Sequence, residues 1–171
     1  MDMQPEEIIK FWGRDNLKRW PEASLRDVAI PASSKSFLAE VGLPFRVDWT
    51  LRFDPEANQL PRLPNKSHYR RIGFDDVVPI CLDEQHGGRI VAVEREVGGT
   101  ERYINSSVEC FGECLVYYQQ YRTSVRGVTE DEVAKLITTT EERMRKADPT
   151  AFGDSNNWWS VILEQMNQGL L

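Results

Sequence analysis

The chain of 171 residues lacks most of the signals that place a protein in a class at sight. It has no long hydrophobic run. The longest near-apolar stretch, Val77-Val78-Pro79-Ile80-Cys81-Leu82, falls far short of the roughly 20 residues that span a bilayer. Its first residues, Met1-Asp2-Met3-Gln4-Pro5-Glu6-Glu7, are acidic where a secretory leader is basic, so a cytoplasmic protein without a membrane segment is expected. It lacks an excess of positive charge as well. With 21 Lys and Arg against 27 Asp and Glu the formal net charge is −6, whereas direct nucleic-acid binding needs a basic surface that displaces counterions. Cysteine is sparse and odd in number. Cys81, Cys110 and Cys114 follow no disulfide framework and read as free thiols of a reducing compartment.

The chemical motifs are missing too. There is no glycine-rich dinucleotide fingerprint, no phosphate-binding loop, no His-Glu-x-x-His zinc motif, no Cys-x-x-Cys pair and no Gly-x-Ser-x-Gly elbow. The two histidines, His68 and His86, sit beside turns and read as surface residues. Cys110 and Cys114 share a helix face, but a closed zinc site needs about four ligands, so small buried hydrophobes are the better reading. Carboxylates do pair: Asp75-Asp76, Asp83-Glu84, and Glu94 with Glu96 on one strand face. Paired carboxylates serve hydrolytic acid–base chemistry, yet a solvated turn or face accounts for them more simply. No catalytic residue, metal or cofactor is assigned, and the chain is not expected to be an enzyme.

What the chain does have is ordered periodicity. Pro5 suits a first helical turn, and Ile8, Ile9, Phe11 and Trp12 follow at helical spacing up to Gly13. A second helix is expected from about Pro31, carrying Phe37, Leu38 and Val41, with Gly42 and Pro44 as its stop. The period then shortens to two. Trp49, Leu51 and Phe53 alternate onto one face, residues 69–74 and 77–82 read as strands with Ile72 and Phe74 inward, and 89–93 and 101–104 as two more. Gly87-Gly88 and Gly98-Gly99 mark tight turns, hence antiparallel neighbours. The last third is helical again, opened by a capping box at Ser106 to Glu109 with Asn105 as a rival cap, and by a second at Thr129 to Glu132. A final helix near Trp158 to Gln168 places Trp159, Ile162, Leu163 and Met166 inward and leaves Trp158 partly exposed, about 100° around the axis. The order of helices, meander and helices predicts a single α+β domain over 1–171, one antiparallel or mixed β-sheet flanked by N-terminal and C-terminal helices.

Several strings together resemble a known family. Phe37-Leu38-Ala39-Glu40-Val41-Gly42-Leu43-Pro44 resembles the early helix-then-Gly-Leu-Pro signature of the SUKH superfamily, specifically its fourth bacterial immunity subfamily. Tyr69 to Phe74 with its central Gly73, Val78 to Asp83 followed by Gly88-Arg89-Ile90, Tyr103-Ile104-Asn105-Ser106-Ser107-Val108-Glu109-Cys110-Phe111, and the tandem Trp158-Trp159 agree with it in type and order. The likeness spans about residues 37–165. It implies the α+β fold already read from the periodicity. It also implies a function that composition does not show: an immunity protein made beside a polymorphic toxin, often a nuclease or a nucleic-acid deaminase, and binding it directly. No catalytic residues come with the family, and its signature residues look structural.

On that reading the partner is a cognate protein toxin with a basic surface, with no direct nucleic-acid contact, no membrane and no stated oligomeric state. Asp75, Asp76, Asp83 and Glu84, expected together near the ends of adjacent strands, are the candidate acidic contacts, and Trp158 the candidate anchor. Two other classes stay open: an intracellular regulatory or scaffold module with an endogenous partner, and a carboxylate-dependent hydrolase.

Overall fold

Pro5 opens α1 (Pro5–Trp12) in the computed structural model, which describes residues 3–53, 58–94 and 100–171. The Gln4 amide donates to the Glu7 carboxylate at 2.8 Å, and Gly13 ends the helix with a φ of 79°. A short β1 (Leu17–Lys18), a single-turn α2 (Glu22–Leu25) that the periodicity does not signal, and α3 (Ala32–Ser36) follow. After α3 the chain widens into a π-helical turn, Phe37–Val41, and stops at Gly42. Two constraints demand glycine there. Its φ is 82°, and a Cβ would lie 2.0 Å from the Lys18 carbonyl oxygen, because β2 (Leu43–Pro44) pairs back onto β1.

The middle of the chain is one antiparallel sheet: β3 (Leu51–Arg52), β4 (Arg62–Leu63), β5 (Lys66–Asp75), β6 (Val78–Asp83), β7 (Arg89–Val93) and β8 (Glu101–Asn105). The spatial order is β3-β5-β6-β7-β8, with β4 also paired to β5. The expected Gly98-Gly99 turn lies outside the described residues, as does Glu96. Two expectations are corrected here. Leu51 and Phe53 are core residues, but the strand begins only at Leu51, and Trp49 stands in the preceding turn in solvent. Phe74 does not share the inward face of Ile72. The β5–β6 register shifts between Arg71 and Gly73, so Ile72 bulges inward, Gly73 faces inward opposite Ile80, and Phe74 turns outward beneath the Arg71 guanidinium at 4.6 Å. That inward position admits only glycine, because β3 and its continuation crowd it: a Cβ would lie 2.5 Å from the Arg52 carbonyl oxygen and from the Phe53 ring.

The inner sheet face, with Leu51, Ile72, Ile80, Leu82, Ile90 and Ile104, packs under the helices in one large apolar cluster. The outer face carries a small one of Tyr69, Cys81, Val91 and Val93, with Leu63 against it. Burial pushes the Cys81 thiol up to about 12, Arg71 and Lys66 opposing, and also raises that of Cys114 well above its ordinary value.

Three helices complete the chain: α4 (Val108–Ser124), α5 (Glu130–Ala147) and α6 (Trp158–Asn167). The Thr129–Glu132 capping box forms as read, and Glu141 and Arg145, four residues apart on α5, pair at 2.7 Å. The cap of α4 is Ser107, whose hydroxyl accepts from the Cys110 amide at 3.2 Å, rather than Ser106 or Asn105. Those two are committed elsewhere. Asp148, buried just past α5, accepts from the Asn105 side-chain amide (2.9 Å), the Ser106 amide (2.7 Å) and the Ser106 hydroxyl (3.1 Å). Its other oxygen accepts from the Thr150 hydroxyl at 2.6 Å. The Asn105 carbonyl in turn accepts from the Trp159 indole at 2.8 Å. Among the described residues no helix is long and apolar enough to cross a membrane.

Removing the Asp148 carboxylate orphans several buried donors at once, each costing about 1–3 kcal/mol. Asp148→Ala is therefore expected to destabilise the fold by about 3 kcal/mol or more, and Gly73→Ala by about 1–3 kcal/mol through backbone collision. Chemical denaturation of the two variants against the parent checks both values.

Candidate partner-binding surface

The structure brings two of the five candidate contacts together. Asp75, the last residue of β5, faces inward, and its carboxylate accepts from the Trp158 indole at 2.9 Å. Trp158 is therefore not the half-exposed residue that its helical angle suggests; it is only 6% exposed, packed edge-on against Trp159 with ring centroids 4.6 Å apart. Asp75 and Trp158 form one wall of a cleft of about 400 Å³, where Val78 and Ala92 also line it and Glu94, Glu101 and Arg102 add charge. Three carboxylates and one guanidinium thus face an apolar lining. Glu101 is engaged by Arg89 and by the Tyr69 hydroxyl, which leaves Asp75 and Glu94 on the side nearest the β5–β6 turn.

Asp76 sits in that turn, exposed, with a φ of 52°. Asp83 and Glu84 do not join it. The β5–β6 register pairs Asp75 with Val78 and Tyr69 with Asp83, so the two acidic pairs stand at opposite ends of the hairpin. The expectation of a single cluster overlooked that strand ends joined by a tight turn are near, whereas the far ends are a strand length away. Asp83 is buried, holds Arg89 at 3.0 Å and shares a hydrogen bond with His86 at 2.6 Å. Burial alone raises the Asp83 pKa, but hydrogen bonds from His86, Arg89 and the Gln85 amide outweigh it, and the carboxyl lies below its ordinary range. Glu84 shows the same balance: burial raises it, and the Ala29 amide, Arg70 and Arg62 bring it below the usual value. Both acids are matched by internal cations and project little field outward.

Sequence reasoning missed two exposed apolar residues beside the cleft. Trp49 is 87% exposed and Val77 62%. A signal for the first was present. Asp48, two residues before Thr50, is an Asx-turn pattern, and the Asp48 carboxylate does accept from the Thr50 amide at 2.9 Å and the Leu51 amide at 2.8 Å. Alternation carried Trp49 onto the strand face only because that turn was read as strand.

The profile of the SUKH-4 immunity protein family matches residues 3–165, nearly the whole chain. The chain belongs to that family. No significant match was found among curated proteins or among solved structures. In this SUKH-4 chain the residues that carried the resemblance are structural. Gly42 and Gly73 are forced by close backbone approach, Asn105 and Ser106 hold Asp148, and the tandem tryptophans tie α6 to the sheet. The cleft and the two apolar turns lie outside those signatures, apart from Trp158 and Val78. Among the described residues no group of His, Cys, Asp or Glu is arranged to hold a metal ion.

Because Asp83 and Glu84 titrate below their unfolded values, their stabilisation is complete above the ordinary carboxylate range and is lost as pH falls through their folded values. Thermal stability is expected to be flat from neutral pH to about pH 5 and to fall steeply below about pH 4. Arg89→Met should cost about 3 kcal/mol at neutral pH, since it leaves a buried carboxylate under-compensated, and the cost should shrink in acid as Asp83 protonates. Melting curves of parent and variant across pH check the sign.

Proposed function

We propose that this protein neutralises a cognate polymorphic toxin in the cytoplasm by direct, stoichiometric binding. The observation that carries the reading is the SUKH-4 family match over residues 3–165. The surface supports it physically. A net charge of −6, with exposed acids gathered at one sheet end, suits a toxin whose own active cleft is basic, as the cleft of a nuclease or a nucleic-acid deaminase must be to hold its substrate. Long-range attraction then speeds encounter, while contact area beside the acids sets the lifetime of the complex. Asp75, Asp76 and the cleft wall at Trp158 are the proposed contacts; Asp83 and Glu84 act in the folded state of the hairpin that presents them.

The mode of action proposed is occlusion, with no turnover of the toxin. Titrating purified toxin, taken as the product of the gene directly upstream, with this protein is expected to extinguish toxin activity linearly, reaching zero at one equivalent, with both chains recovered at unchanged mass. Inhibition at a small fraction of an equivalent, with a mass change on the toxin, would assign catalysis to this protein instead. Full toxin activity in excess protein would remove the immunity reading for that pair.

A further inference from the structure

Exposed tryptophan is expensive in water, and nothing in the local geometry of Trp49 explains its exposure as looseness. The turn that carries it is fixed at three points. The Asp48 carboxylate accepts from the Thr50 and Leu51 amides through one oxygen, and from the Tyr118 hydroxyl at 3.3 Å through the other. Tyr118 is itself buried on α4, edge-on to Trp159 at 5.8 Å. The neighbouring turn is fixed in the same way. The Asp76 amide donates to the Thr50 carbonyl at 2.8 Å, and Asp75 is held by Trp158. The turns carrying Trp49 and Val77 therefore adjoin, and both are tied to the core.

The Val77 turn is also costly as a turn. Asp76 adopts a φ of 52°, where glycine is preferred, and a β-branched valine occupies the next position in solvent. A hairpin selected for stability alone would carry glycine and a polar residue there. Charge around the two turns is divided. Asp76 is exposed in the turn itself, the cleft beside it holds Asp75, Glu94 and Glu101 against the one guanidinium of Arg102, and on the outer side Arg52 is drawn over the Phe74 ring at 5.4 Å.

We propose that Trp49 and Val77, on two adjoining locked turns, form the apolar anchor that seats this protein in its toxin, with Asp76 and the cleft carboxylates meeting a basic rim of the toxin's socket. This rests on the toxin-binding reading above and deepens it by naming the surface. An aromatic on a locked turn beside acidic groups has the composition of an interface hot spot, and the ordering cost of its backbone is met before binding. A second copy of this chain is a poorer occupant. A two-fold contact would place the same patch on both sides, setting Asp76, Asp75 and Glu94 against their own counterparts.

The test is calorimetric titration of the inactivated upstream-encoded toxin with the parent protein and with Trp49→Ser, Val77→Ser, Asp76→Gly and Leu170→Ser, each first shown to melt as the parent does. Leu170 is 67% exposed near the C-terminus and serves as the apolar control. Trp49→Ser is expected to weaken binding about 30-fold or more, and Val77→Ser by less. Asp76→Gly should weaken binding about 3- to 10-fold without loss of melting temperature, because glycine accepts the positive φ at no cost while the charge is removed. Leu170→Ser should bind as the parent does. Parent-like binding by Trp49→Ser would overturn the anchor while leaving the toxin-binding reading intact. No binding by the parent protein would overturn both. A parent dimer that Trp49→Ser converts to monomer would assign the surface to a second copy and overturn the toxin assignment.

Discussion

One buried carboxylate ties the end of the sheet to the C-terminal helices. Asp148 follows α5, yet its hydrogen bonds go to Asn105 and Ser106 at the end of the sheet and to Thr150 in its own turn. An unpaired carboxylate there would be prohibitively costly, so the sheet end, the α5 terminus and the turn into α6 must assemble together or not at all. Asn105 extends the constraint. Its amide nitrogen serves Asp148 and its carbonyl serves Trp159, so one side chain orients both the acid and the indole.

From Trp159 the same constraint reaches the far end of the sheet by two routes. Edge-on packing fixes Trp158, which fixes Asp75 and the hairpin turn; edge-on packing also meets Tyr118, which fixes Asp48 and the turn of Trp49. The surface proposed for recognition is therefore built on elements tied to the core while its tips stay in solvent. For a protein that acts by occlusion, such an arrangement keeps the entropy of ordering out of the binding step. It also explains why the family's recognisable residues and the proposed contact residues barely overlap: the first position the turns, and the second occupy them.

Much of this was legible in the sequence and some was not, for definite reasons. The strand readings located β5 to β8, and Pro5, Gly42 and the Thr129 capping box placed helix ends, because those are local preferences of the backbone; the two-residue strands β1, β2 and β4 are too short to leave such a pattern. Local rules fail where tertiary contacts decide. Phe74 faces outward because a bulge one residue earlier resets the phase, and Ser106 gives up its cap role because Asp148, 42 residues away in the chain, competes for it. Trp158 and Trp49 exchanged their expected exposures for the same kind of reason. An indole partner at Asp75 is invisible from helical angle alone, and an Asx turn at Asp48 shortens the strand that alternation had extended. Of the candidate acids, adjacency in sequence placed Asp75 beside Asp76 and Asp83 beside Glu84, but it could not reveal that Arg89 and Arg70 occupy Asp83 and Glu84.

The central claim, that the buried Asp148–Asn105–Trp159 contacts and the two exposed turns form one rigid unit, is tested most directly by native-state hydrogen exchange on the free protein. The amides to follow are Ser106, bonded to Asp148, Leu51, bonded to Asp48, and Asp76, bonded to Thr50. The Leu51 and Asp76 amides are expected to open only with a free energy close to that of Ser106, near the global value. Free exchange at Leu51 and Asp76 while Ser106 stays protected would show the turns to be locally frayed and would contradict a preformed binding surface.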